Sequence, residues 1–448
     1  MRARLLLPLA VLGVLVACAD PSGRAAPDDV SDLADTSLAD TSPDSASDAS
    51  DADAPDGPPD VPLDATVEAD VSDDAPDAEP TDTADPDAEP ADADPVDVAT
   101  DVDTEADTMP SDDQLAILSL NLHCLELGGT SFTDHTARFA AIADLVATRG
   151  VVAIAVQEAC DNGTLNALDA LEAALESATG TPWSSTWAFA HVAWEGTAQE
   201  AREGVAILAR GELVNPGSLT HRAQNGLWRV MAYATVTLDS GPLHLVSVHF
   251  DHQHADARLA QAREAAAFPL ALFAPSQSVL VAGDFNASAT SPAPLAMAAM
   301  GYRNLAEGAG REGTRIDHVF AHRGAPFEVV SRSLVFDGAS NRVSDHPGVL
   351  VLLRPAAVTP APMTRLVAHV DVGFGKTLSV RGELAPLTWT WGWPVLNTAA
   401  DRWEAVFTEL PEGEPVPFKF LVGDVTWQVG DNAQGQGGQT TELTPTFP

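Results

Sequence analysis

Hydrophobic positions are spread unevenly along the 448 residues. A short apolar run opens the chain, residues 19–113 contain no aromatic and few long aliphatic side chains, and apolar segments punctuated by turns fill the remainder. The run Leu115-Ala-Ile-Leu-Ser-Leu-Asn121 predicts a strand ending on an amide. Thr133 to Thr148 repeats at helical spacing through Phe139, Ile142, Leu145 and Val146, with Thr133 or Asp134 to cap it and Gly150 to close it. Val151 to Glu158 reads as a buried strand and Leu165 to Leu175 as an amphipathic helix. Further strands are expected at Trp183–Trp194, Gly204–Leu208, Met231–Leu238, Leu243–Phe250 and Val349–Leu353, with an Ala-rich helix from Asp256 to Phe273. Strands and helices alternate irregularly, which predicts an α/β fold with a two-layered core and helices over both outer faces.

One stretch stands out. Ser278-Val-Leu-Val-Ala-Gly283-Asp284-Phe285-Asn286 is an apolar strand that ends on an acid and an amide two residues apart. Strand side chains alternate faces, so Asp284 and Asn286 point the same way, a pairing suited to a water or a phosphate oxygen. A plain turn is the competing reading of Gly-Asp-x-Asn. Polar residues recur at other strand ends: Asn121, Glu158, His249, Asp317, Asp345 and His346. Buried charge is costly without a partner, so ends of this kind that converge imply a shared one. Carboxylate and amide oxygens suit Mg²⁺.

Taken in order, Asn121, Gln157-Glu158, His249, Gly283-Asp284-Phe285-Asn286, Ile316-Asp317 and Ser344-Asp345-His346 resemble the endonuclease/exonuclease/phosphatase superfamily. The resemblance implies a four-layered α/β/β/α sandwich (DNase I-like) over residues 114–355 and metal-dependent hydrolysis of phosphoesters. Glu158, Asn121 and Asp345 are then expected at the metal, which is Mg²⁺ with Mn²⁺ or Ca²⁺ as alternatives. Asp284 would activate the attacking water and Asn286 would orient it. His346, governed by Asp317, would face the scissile phosphate, and His249 the leaving group. Arg202 is expected to reach substrate phosphate. Relatives place a carboxylate beside the second histidine where this chain has His191, which leaves Glu195 as the fallback partner of His249. Of the three cysteines, Cys124 and Cys160 suggest a disulfide in an oxidising compartment. They follow Asn121 and Glu158 closely in sequence, so if both strand ends meet at one metal, as the resemblance implies, the disulfide would brace its ligands.

Charge adds a tether. Of the net charge of −42, most lies in residues 19–113, where about 32 acids face the single Arg24. Rich in Asp, Ala and Pro, this segment is expected to be a disordered, extended linker. Before it, Arg2, Arg4 and the apolar run Leu5 to Val16 have the shape of a signal peptide, expected over residues 1–18. It ends Leu15-Val16-Ala17-Cys18, which resembles a bacterial lipobox lipidated on Cys18. The expected location is the cell envelope, at the outer membrane or cell surface, with the membrane engaged through the lipid anchor only.

After a Pro-rich linker at 356–363, short strands and frequent turns predict a small all-β sandwich over residues 364–448. Its tryptophans resemble those of starch-binding modules, which assigns sugar contacts to Trp389 (with Trp391 as alternative), Lys419, Trp427 and Asn432. The substrate is expected to be a nucleic acid or a phospholipid head group, with a phosphomonoester as a further alternative and polysaccharide as a second partner. The rival class is a non-catalytic glycan-binding lipoprotein.

Overall fold

The computed structural model describes residues 111, 114–125, 132–273 and 277–448. The lipobox-like stretch ending at Cys18 and the acidic segment lie outside the described residues, apart from Ser111 within that segment. In chain order the elements are β1 Leu115–Asn121, α1 His135–Arg149, β2 Val151–Asp161, α2 Ala167–Thr179, β3 Trp183–Ala193, β4 Ala201–Arg210, β5 Leu213–Thr220, β6 Val230–Leu238 and β7 Gly241–His249. There follow α3 Ala255–Leu272, β8 Val279–Asp284, α4 Pro292–Ala299, β9 Tyr302–Asn304, β10 Asp317–His322, β11 Phe327–Val335 and β12 Gly348–Pro355. The C-terminal region adds β13 Thr364–His369, β14 Leu378–Gly382, β15 Trp393–Ala399, β16 Arg402–Phe407, β17 Pro415–Val422, β18 Thr426–Trp427, β19 Ala433–Gln436 and β20 Thr440–Leu443.

Two six-stranded sheets form the part of the fold before residue 356, ordered β11-β12-β1-β2-β4-β3 and β5-β6-β7-β8-β10-β9. Strand alternation sorts their side chains into layers. Ile117, Ala153, Ala155, Ile207, Leu245, Leu280 and Val351 fill the space between the sheets. Leu118, Ile154, Val156 and Leu208 face outward to Phe139, Ile142 and Val146 of α1 and Leu171 and Leu175 of α2. Asp134 caps α1 by accepting from Ala137 N at 2.9 Å, and Gly150 closes it in the left-handed conformation. The four-layered sandwich expected from the motif set is the fold observed.

The other outer face differs. α3 is buried nearly all round from Gln261 to Ala271, because a second body covers the side that α1 and α2 leave to solvent. That body is the β-sandwich of residues 364–448, ordered β18-β17-β14-β15-β16-β13-β20 with β19 on β17. Phe268 and Leu270 of α3 share one apolar cluster with Leu366, Trp393, Trp403 and Phe407. The alanines of α3 let both neighbours approach, and its buried polar residues, Gln261 and Glu264, are hydrogen-bonded. Residues 356–363 carry no strand or helix, and Ala361 exchanges hydrogen bonds with Gln277 at 2.7 and 3.4 Å.

Candidate active site

Sheet topology gathers the polar strand ends. β1 and β2 run parallel with Asn121 beside Gln157, and β7 and β8 run parallel with His249 beside Asp284. β10 is antiparallel to β8, so its first residue, Asp317, pairs with the last, Asp284. Ser344-Asp345-His346 lies just before β12. A bulge between Val156 and Ala159 re-aims β2 and leaves Glu158 at φ 50°, a left-handed backbone uncommon for such a residue and found preferentially at functional sites. Gly283 sits at φ 148°, and a Cβ there would lie 2.0 Å from Val248 O. Only glycine lets β8 approach β7 so closely.

Asp284 is the hub. Its Oδ1 accepts from Asn286 N at 2.7 Å. Its Oδ2 lies 3.3 Å from Asn121 Nδ2, 3.4 Å from His249 Nε2 and 3.9 Å from His346 Nε2. Burial and the neighbouring Asp317 charge push the Asp284 carboxyl up to about 7. His346 Nδ1 meets Asp317 Oδ2 at 2.8 Å. Burial works against the charged ring, but that hydrogen bond and the charges of Asp317, Asp284 and Asp345 raise it to about 10. Burial, helped by Arg229 and the other imidazoles, holds His249 well below its ordinary value. The site therefore sets a charged imidazole and a neutral one on either side of one carboxylate.

Two groups were missed by sequence reasoning. Glu203 Oε1 lies 3.9 Å from His249 Nδ1 and 3.8 Å from Arg229 Nη1, and its Oε2 lies 3.6 Å from His191 Nε2. Glu203, rather than Glu195, is the carboxylate facing His249. Burial and the Glu158 charge raise Glu203 to about 8 against the pull of Arg229. Arg229 lines the cleft of about 370 Å³ together with Glu158, Glu203, His249, Asp284 and His346. Arg202, expected at substrate phosphate, instead stacks over Trp187 and Phe189, each at 5.0 Å. The reason is strand alternation: adjacent residues of β4 face opposite ways, and it is Glu203 that points inward.

The donors suit a hard divalent cation. Glu158 lies beside Asn121 Nδ2 at 2.9 Å, and its charge helps to raise both Glu203 and Asp284. Such a concentration of like charge is what a cation offsets. Burial would raise Asp345, but His123, 3.1 Å away, and His346 bring it down to about 2. Asn121 turns its nitrogen to Glu158 and Asp284 and its oxygen to His123 N at 2.8 Å, so it ties the acids together. Asp284, Asp317 and His346 also bring donor atoms within 4.8 Å of one another. Yet a protonated ring bonded to Asp317 has no lone pair for a metal.

The loops that carry these acids are braced from behind. Cys124 and Cys160 form a disulfide. Buried Arg138 of α1 donates to the carbonyls of Val343 (2.7 Å), Phe132 (3.0 Å), Cys124 (3.5 Å) and Leu122. One guanidinium thus joins the segment after Asn121 to the segment before His346.

In the C-terminal sandwich, Trp389 and Trp427 lie side by side with ring centroids 6.2 Å apart. Trp391, the alternative to Trp389, sits under Arg263 of α3 at 3.9 Å. Asn432 is exposed nearby in sequence. Lys419, expected to donate to sugar hydroxyls, points to the carbonyls of Gln428 (3.3 Å) and Gly430 (2.6 Å). It fastens the segment that follows Trp427.

The family model for the Endonuclease/Exonuclease/phosphatase family matches residues 118–346. Among solved structures, a member of that family from Leptotrichia buccalis is similar at 17% identity and TM-score 0.44, over 54% of this chain and 99% of that one. Another from Beutenbergia cavernae gives 17% and 0.44 over 72% and 100%. A mannosyl-6-phosphatase from Bacteroides thetaiotaomicron gives 17% and 0.43 over 53% and 99%. No curated protein matches.

Proposed function

Because the chain belongs to the Endonuclease/Exonuclease/phosphatase family, we propose that it is a metal-dependent hydrolase that cleaves phosphodiesters by in-line attack of water. The observation that carries this reading is the His346–Asp317 pair, at 2.8 Å, set beside buried Asp284. Mg²⁺, or Mn²⁺ or Ca²⁺ in its stead, held by Glu158 and Asp345 beside Asn121, would place positive charge on a phosphoryl oxygen. The remaining work falls to side chains. Asp284, fixed through Asn286 N, takes the proton of the attacking water. His346 donates from Nε2 to the developing phosphoryl charge, and Asp317 keeps that ring protonated and aimed. His249, kept neutral by burial, faces the leaving group with Glu203 behind it. Arg229 supplies the cation that Arg202 does not.

The test is hydrolysis of plasmid DNA, RNA, sphingomyelin and a phosphomonoester by the purified protein with Mg²⁺. Asp284→Ala and His346→Ala are expected to lose at least about 10³-fold. Wild-type rates in both would overturn the proposal.

A second reading, phospholipid phosphodiesterase, is favoured by the rim of the cleft. Trp194 and Leu227, which line it, are 38% and 39% exposed, and Trp228 in the adjoining hollow is 56% exposed. Residues 114–355 carry about 15 arginines, no lysine and a net charge of about −8, unlike the basic footprint of a duplex-gripping nuclease. Faster turnover of sphingomyelin than of DNA would establish this reading; the reverse would remove it.

The lipobox supports anchoring of the chain in the cell envelope through Cys18. Palmitate labelling that persists in Cys18→Ala would contradict that. The Trp389–Trp427 pair supports a glycan contact by the C-terminal sandwich. Failure of the full chain to be retained on starch or other polysaccharide matrices would remove that contact and its polysaccharide partner.

A further inference from the structure

Residues 221–229 leave the end of β5, turn at the cleft wall and enter β6. The loop is tied shut across its base: His221 N donates to Arg229 O at 3.1 Å, Gln224 Nε2 donates to the carbonyls of His221 (2.6 Å) and Arg229 (2.7 Å), and Arg229 N donates to Gln224 Oε1 at 2.7 Å. Its cleft end carries Leu227, Trp228 and Arg229. The Arg229 guanidinium lies 3.8 Å from Glu203 and 3.5 Å from His252 Nδ1.

The other end of the loop is held by α3 and by the C-terminal sandwich together. Glu264 of α3 accepts from Arg222 N at 3.0 Å and meets His221 Nδ1 at 3.0 Å. Gln261 of α3 donates to Ala223 O at 2.7 Å and accepts from Asp251 N at 2.8 Å. The Arg222 side chain then runs across α3 to the C-terminal sandwich. It crosses Phe268 at 4.8 Å, donates to Leu378 O of β14 at 3.0 Å and to Val395 O of β15, and lies 5.9 Å from Trp403. Backbone carbonyls of one fold thus fix a residue of the other, seven positions before the cleft arginine.

We infer that Arg222 is a positioning residue for the cleft, through which the C-terminal sandwich holds the 221–229 loop and sets Arg229 against Glu203 and His252. Carbonyl acceptors fixed in strands have no rotamer freedom, and a planar guanidinium donates to two of them in one geometry. At its cleft end the loop is also tied to β3, where His191 Nδ1 meets Trp228 O at 3.1 Å, while its 221–223 end is held by α3 and by this docking alone among the hydrogen bonds that leave the loop. The sandwich is thereby a wall support of the active site, whatever else it binds. The catalytic part of this inference rests on the phosphoester hydrolase reading, while the structural part does not.

The test measures amide hydrogen exchange and hydrolysis on the full chain. Arg222→Met is expected to speed exchange of peptides covering 221–229 by about tenfold or more, with peptides of α1 and β12 unchanged. It is also expected to lower kcat/KM, while the Arg222→Met/Arg229→Met pair is no slower than Arg229→Met alone, as for two groups acting in series. Arg222→Lys, which retains the charge but not the fork, should fall between. Arg263→Met removes the stacking on Trp391 across the same interface without touching the loop, and should leave loop exchange and kcat/KM as in the wild type. Wild-type exchange in the Arg222→Met loop, or strictly additive losses in the pair, would overturn the inference. A wild type inactive on every substrate, with loop exchange still accelerated in Arg222→Met, would instead count against the hydrolase reading alone and leave the clamp standing.

Discussion

The two flanks of the active site are held by the same device in different company. On the α1 side, Arg138 donates to carbonyls of Leu122, Cys124, Phe132 and Val343, all within the catalytic half. On the α3 side, Arg222 donates to carbonyls of Leu378 and Val395, which belong to the C-terminal sandwich. The covering helices differ accordingly. α1 buries Arg138, Phe139, Ile142, Ala143 and Val146, one stripe at helical spacing. α3 buries both faces. The flank bearing Asn121 and Glu158 is therefore self-sufficient, whereas the flank bearing His249 and Arg229 needs its neighbour.

The contrast can be broken most forcefully at Arg138. Arg138→Met strands several buried carbonyls and should cost on the order of 4 kcal/mol, read as a lower midpoint in urea. A loss under about 1 kcal/mol would mean that the carbonyls find other donors. Next comes the disulfide. Its two cysteines are 36 residues apart, and closing such a loop constrains the unfolded chain by about 3–4 kcal/mol. Cys124→Ser/Cys160→Ser should lower the free energy of unfolding by about that amount, read from urea denaturation, while exchange in 221–229 stays at the wild-type rate, which keeps the flanks distinct.

A smaller effect is pH-dependent. His346 is raised from an ordinary value of about 6.5 to about 10 in the folded state. Its contribution to stability is fully present below about pH 6.5 and is lost as pH climbs through about 10. Thermal midpoints should decline over that window in the wild type, and Asp317→Asn should flatten the decline. An unchanged slope in that variant would mean Asp317 is not the cause. The smallest effect lies far from the cleft. Burial would raise Asp424, but hydrogen bonds from Arg381, Ser379 and Gly392 N lower it. Its contribution is present above about pH 3.9 and is lost as pH falls below that value. Because Asp424 is 38% exposed, solvent screening leaves less than about 1 kcal/mol. Arg381→Met should reduce the acid sensitivity of the Trp427 region, seen in peptide exchange at pH 3 to 5.

The polar strand ends were legible because a run such as Val279–Ala282 has no structural reason to stop on Gly-Asp-Phe-Asn. The cap at Asp134, the stop at Gly150 and the cysteine pair were legible for equally local reasons. The strands that escaped reading include β5 and β11, both sheet edges. Edge strands expose one side and carry polar residues on both faces, as Leu213–Thr220 does around Pro216 and Gly217. Arg229 escaped because its loop has no period, and its partners Glu203 and His252 come from distant sequence. Arg202 and Glu203 could be told apart only once the bulges of β2 and β3 fixed which face of β4 turns inward.

The double burial of α3 bears on where this chain can be cut. A truncation within residues 356–363 looks natural from composition, since prolines there advertise a domain boundary. Yet it would strip the cover from Phe268 and leave Arg222 without its acceptors, presenting a sticky greasy face to every other copy in solution. The smallest piece worth expressing, crystallising or grafting elsewhere is the pair of folds together. Any library that shuffles the tail must carry α3 and the 221–229 loop with it.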